Sequence, residues 1–142
     1  MTTGQEALSL LNNAKRLLRT LGLKGARVWV KECRIRLERL CAELEAHSLT
    51  PNAESLSWLE LEFYSIIETH PKVRQASMVV FKEEILEICE QGLESYRKIQ
   101  QTRSLTEVES EQLRLVKEEH WKTTAERDSL LKKFLDEQEK RR

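Results

Sequence analysis

Three histidines, three cysteines and one closely spaced pair of glycines are the residues of this chain whose types could support metal, nucleotide or acid–base chemistry. Their spacing argues against each. His47, His70 and His120 fall in separate segments. A di-iron helical site needs Glu-x-x-His on inward faces, and the required positions hold Leu44, Ile67 and Lys117. No Cys-x-x-Cys occurs, so a zinc site would have to be assembled from distant segments. Gly22-Leu23-Lys24-Gly25 lacks the spacing of a phosphate loop or a dinucleotide fingerprint and reads as a linker between helices. A nucleophile, a base and an orienting group must meet in a pocket. His70, beside Glu68 at a helix break, is the one candidate base, and helix punctuation accounts for it better. No catalysis, metal or cofactor is expected.

The cysteines carry a different message. Cys33 and Cys41 lie eight positions apart on one predicted helix, ~12 Å at helical rise and beyond disulfide reach. With Cys89 they fall on or beside apolar stripes, which reads as free buried thiols in a reducing compartment. The first apolar cluster, Ala7 to Leu11, is broken by Ser9 and followed by Asn12, Asn13 and Lys15, unlike a secretory signal. No run approaches the ~20 apolar residues of a membrane span. A soluble protein of cytoplasm or nucleus is expected.

The elements that would position any site are helical. The 142 residues include only four glycines and two prolines, and apolar residues recur at helical spacing between them. At 39% hydrophobic and 34% charged, the chain suits amphipathic helices with wide solvated faces. The first helix is predicted from a Thr3–Glu6 capping box,, with a stripe of Leu8, Leu11, Ala14, Leu18 and Leu21, widened by Leu10 and Leu17, ending at Gly22 and Gly25,. A second helix, 26–46, carries a three–four seam of Val30, Cys33, Leu37, Leu40 and Leu44, flanked by Trp29 and Cys41,. A third is capped by Thr50 and Pro51, carries Leu56, Leu59, Phe63 and Ile66 beside Trp58, Leu61 and Ile67, and stops at His70-Pro71,. A fourth, 72–100, presents two rows, Met78/Phe81/Ile85/Ile88 and Leu86/Cys89/Leu93/Tyr96. So broad an apolar face predicts the centre of a bundle. Gly92 weakens this helix but permits close approach of a neighbour,.

Two overlapping capping boxes, Ser104–Glu107 and Thr106–Glu109, predict a fifth helix from about Leu105 to near the chain end,. One continuous bent helix is the alternative. The apolar row of this last helix is poor, with His120, Thr124 and Arg127 in seam positions between Leu113/Val116 and Leu130, Leu131, Phe134 and Leu135. The fold class that follows is all-α, a four- to five-helix bundle with a long C-terminal helix able to enter a coiled coil. Residues 1–102 read as the bundle, and 103–142 as an amphipathic helix that packs on it or projects.

Charge cancels overall, 24 basic against 24 acidic, but it is segregated. Residues 13–39 hold nine Lys and Arg against two Glu, and residues 43–69 hold six Glu and no Lys or Arg. Arg27, Lys31 and Arg34 share a helix face at i, i+4, i+7. Such a stripe meets the acidic third helix, an acidic protein, or nucleic acid through its phosphates. The leading expectation is a non-enzymatic adaptor or complex subunit that binds a protein partner, or itself, through amphipathic helices. Trp121, Leu130, Leu131, Phe134 and Leu135 are the candidate contacts, since tryptophan is enriched at interface hot spots. A nucleic-acid-binding module using the basic stripe is the alternative.

Overall fold

The computed structural model describes residues 2–25, 27–47 and 52–136. They form five helices: α1 Thr3–Gly22, α2 Val28–His47, α3 Ala53–Ile67, α4 Pro71–Thr102 and α5 Glu107–Asp136. Among the described residues there is no strand, and no helix is long and apolar enough to cross a membrane. The chain is an all-α helical bundle.

Local capping chemistry sets the boundaries, in several places one or two residues from where sequence reading put them. The first capping box uses Thr2 with Gln5 in place of Thr3 with Glu6. Gln5 N–H donates to Thr2 Oγ1 at 3.1 Å and Thr2 N–H to Gln5 Oε1 at 2.8 Å, so both free backbone donors are satisfied one residue earlier. Thr50 and Pro51, the predicted cap of α3, lie outside the described residues. Asn52 caps that helix, its Oδ1 accepting from the backbone of Glu54 and Ser55.

His70 caps α4, with Nδ1 accepting from Lys72 N–H at 3.0 Å, and Pro71 occupies the first turn, where a missing N–H costs no hydrogen bond,. Of the two overlapping boxes before α5 the second is used: Thr106 N–H donates to Glu109 Oε1 and Glu109 N–H to Thr106 Oγ1. Gly25, with φ of 79°, makes the left-handed step between α1 and α2,.

One core joins all five elements. α1 packs on α2, α3 and α4, and α3 also meets α2 and α4. Leu10, Ala14, Leu17 and Leu21 of α1 are buried, whereas Leu8 is exposed. The predicted α2 seam is buried along its length, as are Leu56, Leu59, Phe63 and Ile66 of α3. Val73, Ala76 and Val80 bring the start of α4 into the same interior.

α4 and α5 are separate helices. The chain turns at Arg103–Thr106 and α5 runs back along α4: partners climb α5 as they descend α4, from Tyr96 with Gln112 through Glu90 with His120 to Glu83 with Arg127, and Lys82 bonds Glu126 beside the last pair. The far end of α5 then reaches the core. Phe134 is fully buried in the common cluster, with Leu131 and Leu135 packed against it. Lys24, in the α1–α2 turn, holds that end in place. Its Nζ donates to Leu135 O at 3.0 Å and lies 5.1 Å from the centroid of the Phe134 ring. A cation at the helix C-terminus satisfies a free carbonyl and the ring quadrupole together.

Candidate protein-docking surface

One apolar row exposed on the bundle lies on α4. Met78, Phe81, Ile85, Ile88, Gly92, Ser95 and Ile99 follow one another at alternating spacings of three and four, the heptad seam of a helix that packs lengthwise on another. Apart from Phe81, which packs against the core, the bundle leaves this row outward, although its breadth predicted burial. Ile88 is 63% exposed, Met78 47% and Ile85 37%, and Phe81, Gly92 and Ile99 are half-buried.

The reason is that α4 has a different face for each neighbour. Its start turns Val73, Ala76 and Val80 to the core. On one flank Glu84 accepts from Ser9 of α1 and Glu87 pairs with Arg16. On the other, Lys82 and Tyr96 bond to α5. What remains between α1 and α5 is the heptad row.

Towards the α4–α5 turn the surface widens. Between Cys89 and Thr123 no residue is buried, though both helices continue through the interval. Two helices side by side lack the third and fourth sides of a bundle. They leave a groove of ≈ 750 Å³ bordered by Ile88, Cys89, Gly92, Tyr96, Leu115 and Val116. Gly92 forms its floor, with the nearest atom to an added Cβ being Val116 Cγ1 at 3.8 Å. Leu8 lines the adjoining hollow between α1 and α4 together with Ile88, so exposed aliphatic groups run from α1 across α4 to Leu115 of α5.

The residues singled out from sequence are divided by the structure. Trp121 points to solvent at 79% exposure. Leu130, Leu131 and Leu135 are half-buried and Phe134 is completely buried. Phe134 is therefore a core residue of the folded chain, out of reach of a partner while the bundle is intact. Trp58, beside the apolar row of α3 in sequence, is 68% exposed and shares the outer side of α3 with Leu61 and Tyr64.

Arg27, Lys31 and Arg34 are exposed, and none pairs with a carboxylate of a described residue. The segregated charges meet across helices only in part. Arg36 bonds Glu62 and Ser65 of α3 and Lys15 pairs with Glu45, while Arg16 and Arg19 turn to Glu87 and Glu83 of α4.

Among the described residues, titratable groups also gather in a second place. A charged cleft of ≈ 480 Å³ is lined by Arg16, Glu83, Glu87, Glu90, His120, Thr124 and Arg127. Its groups engage one another: Glu87 with Arg16, Glu83 with Arg127 at 3.4 Å, Glu90 with His120 at 3.4 Å, and Thr124 donating to His120 O. These ion pairs and hydrogen bonds tie α1, α4 and α5 together, which explains the polar seam positions of α5. His70 is not in it. Its imidazole caps α4 and stacks on Trp29 with centroids 4.6 Å apart, while neighbouring Glu68 pairs with Arg74. Among the described residues no group of three or more His, Cys, Asp or Glu is arranged to hold a metal ion.

The α4–α5 turn is stiffened by charge. Arg103 grips Glu109 through both terminal nitrogens at 2.9 and 2.8 Å. That bond, with the backbone donor of Thr106, holds the Glu109 carboxyl at about 2. Burial raises the Cys41 and Cys89 thiols, so both stay protonated and inert. No protein-family model, curated protein or solved structure matches this chain.

Proposed function

We propose that this chain is a non-enzymatic helical adaptor or complex subunit, and that it binds protein by accepting an amphipathic helix along the outward row of α4. The single observation that carries the proposal is the uncovered heptad seam from Met78 to Ile99, flanked by the α4–α5 groove. Contiguous exposed apolar surface of this form marks interaction sites on soluble proteins. Helix-in-groove recognition reads the i, i+3, i+4, i+7 anchors that α4 presents. The mutual engagement of Arg16, Glu83, Glu87, Glu90, His120 and Arg127 accounts for the charged cleft as a contact between helices. The free thiols Cys33, Cys41 and Cys89 favour action in a reducing compartment, the cytoplasm or nucleus.

The test is affinity purification from the native cell with the wild-type chain and with Ile88→Glu. The proposal expects the wild type to retain a protein, or a second copy of itself, that the variant loses. Equal recovery by both would remove α4 as the docking element.

The exposed, carboxylate-free stripe of Arg27, Lys31 and Arg34 favours a second reading, association with nucleic acid through phosphates. It requires salt-sensitive retardation of DNA or RNA that weakens when the three are neutralised. No retardation at low salt would dismiss it.

A further inference from the structure

The seam on α4 is graded along its length, and the gradient identifies its occupant. Reading along the row, the first half carries Met78, Phe81, Ile85 and Ile88, and the second carries Gly92, Ser95, Ile99 and Thr102. Large side chains thus lead and small ones follow, with Ile99 the one bulky member of the second half. We propose that the outward row of α4 pairs antiparallel with the same row of a second copy of this chain, about a two-fold axis passing near residue 90. This rests on the docking role of α4 argued above and names what docks.

Antiparallel coiled coils place an a position against a d position of the partner helix. With Met78, Ile85, Gly92 and Ile99 as a and Phe81, Ile88, Ser95 and Thr102 as d, one register sets Met78 against Thr102, Phe81 against Ile99, Ile85 against Ser95 and Ile88 against Gly92. Each pair of residue numbers adds to 180. Three of the four layers oppose a large side chain to a small one, the condition for facing positions to interdigitate without voids. Gly92 lets the Ile88 knob approach the backbone of the facing helix, beside the axis, where the two chains come closest. The seam spans about 36 Å at helical rise and lies wholly within α4.

The flanking charges agree. Glu84 and Lys98 both occupy g, and the same register brings Glu84 of one copy beside Lys98 of the other, twice by symmetry. The remaining g residue, Gln91, meets itself. The e positions, Lys82, Cys89 and Tyr96, turn to α5, where Lys82 and Tyr96 are held by Glu126 and Gln112. No like-charge pair arises along the seam. A parallel, in-register pair is worse on both counts. It stacks Ile on Ile at one end and Gly on Gly and Ser on Ser at the other, and its g-to-e′ neighbours, Glu84 with Cys89 and Gln91 with Tyr96, bring no opposite charges together. Leu8 on the α1 flank and Leu115 on the α5 flank are exposed and extend the apolar contact on either side. The interface is isologous, so it closes at two copies.

The test is sedimentation equilibrium of the full chain from about 1 µM to about 1 mM. Wild type should be a reversible dimer, and Ile88→Glu a monomer with unchanged helix content by circular dichroism. Glu84→Lys and Lys98→Glu should each weaken the dimer about tenfold, and the double reversal should recover most of that loss. A wild type that stays monomeric throughout overturns the second copy. If it nevertheless retains another protein that Ile88→Glu loses, the docking role of α4 survives and only the occupant is wrong. If nothing is lost in either experiment, both fall. A dimer indifferent to Ile88→Glu overturns the α4 seam as its interface. A dimer broken by the single reversals but not rescued by the double one overturns the antiparallel register.

Discussion

Gly92→Ala should push the stability of the monomer and that of the dimer in opposite directions. In the isolated chain the new methyl meets only Val116 Cγ1, at the ordinary contact distance of 3.8 Å, so the site accommodates it. Glycine inside a helix costs ~1 kcal/mol relative to alanine. The dilute variant should therefore gain about 1 kcal/mol, or about 3–5 °C in Tm for a domain of this size. In the dimer the same methyl stands against Ile88 of the partner chain. Overpacking of a filled contact costs about 1–3 kcal/mol, and the two-fold axis imposes it twice. The dissociation constant should rise at least about 30-fold, the equivalent of about 2 kcal/mol. Thermal unfolding by circular dichroism at low micromolar concentration reads the first effect, and sedimentation equilibrium reads the second. A dimer equally tight or tighter with alanine would refute the close approach at Gly92. A fall in Tm of the dilute variant would refute the reading of Val116 as an undemanding neighbour.

Further outcomes follow from individual contacts. Phe134→Ala empties a fully buried site and removes the ring beneath Lys24, so chemical denaturation should show a loss of about 3–5 kcal/mol. Trp121→Ala, at an exposed position, should stay within about 0.5 kcal/mol of wild type, and the reverse ranking would contradict the docking of α5. Glu109 has its carboxyl lowered from 4.5 to about 2 by Arg103 and Thr106. Because the folded value is the lower one, its stabilisation of the turn is full above the ordinary carboxylate range, weakens progressively as pH falls below it, and is gone once pH has passed through about 2. An NMR titration of Glu109 should show that midpoint, and Arg103→Ala should raise it, whereas a wild-type midpoint near 4.5 would disprove the clamp. His70→Ala should cost about 1 kcal/mol by removing the cap of α4, with His70→Asn recovering most of it in the same unfolding assay. Equal loss in both would mean that the Trp29 stack, and not the cap, is what matters.

Much of this architecture was legible because burial follows helical spacing. Val30, Cys33, Leu37, Leu40 and Leu44 are one seam in sequence and one buried seam in space. His70-Pro71 divides α3 from α4 because a residue before proline avoids helical geometry. Periodicity cannot say which of two adjacent apolar rows turns inward. On α4 both rows fit, and the choice rests on which flanks α1 and α5 occupy, which only tertiary contacts decide. The same limit hid Phe134. His120, Thr124 and Arg127 broke its row, and only the matching Glu90 and Glu83 on α4 show why a polar stretch still packs and carries the helix end back to the core. Lys24 had no sequence signal beyond a place between two glycines. Its role comes from the helix end and aromatic ring brought over it.

Hydroxyl-radical footprinting with mass spectrometry reads directly whether the outward row of α4 is a contact surface. Met78, Ile85 and Ile88 should label readily in dilute protein and become protected as concentration rises, while Trp58 and Trp121 label equally throughout. Met78, Ile85 and Ile88 labelling to the same extent in dilute protein, in concentrated protein and in native cell extract would contradict a contact role for the row.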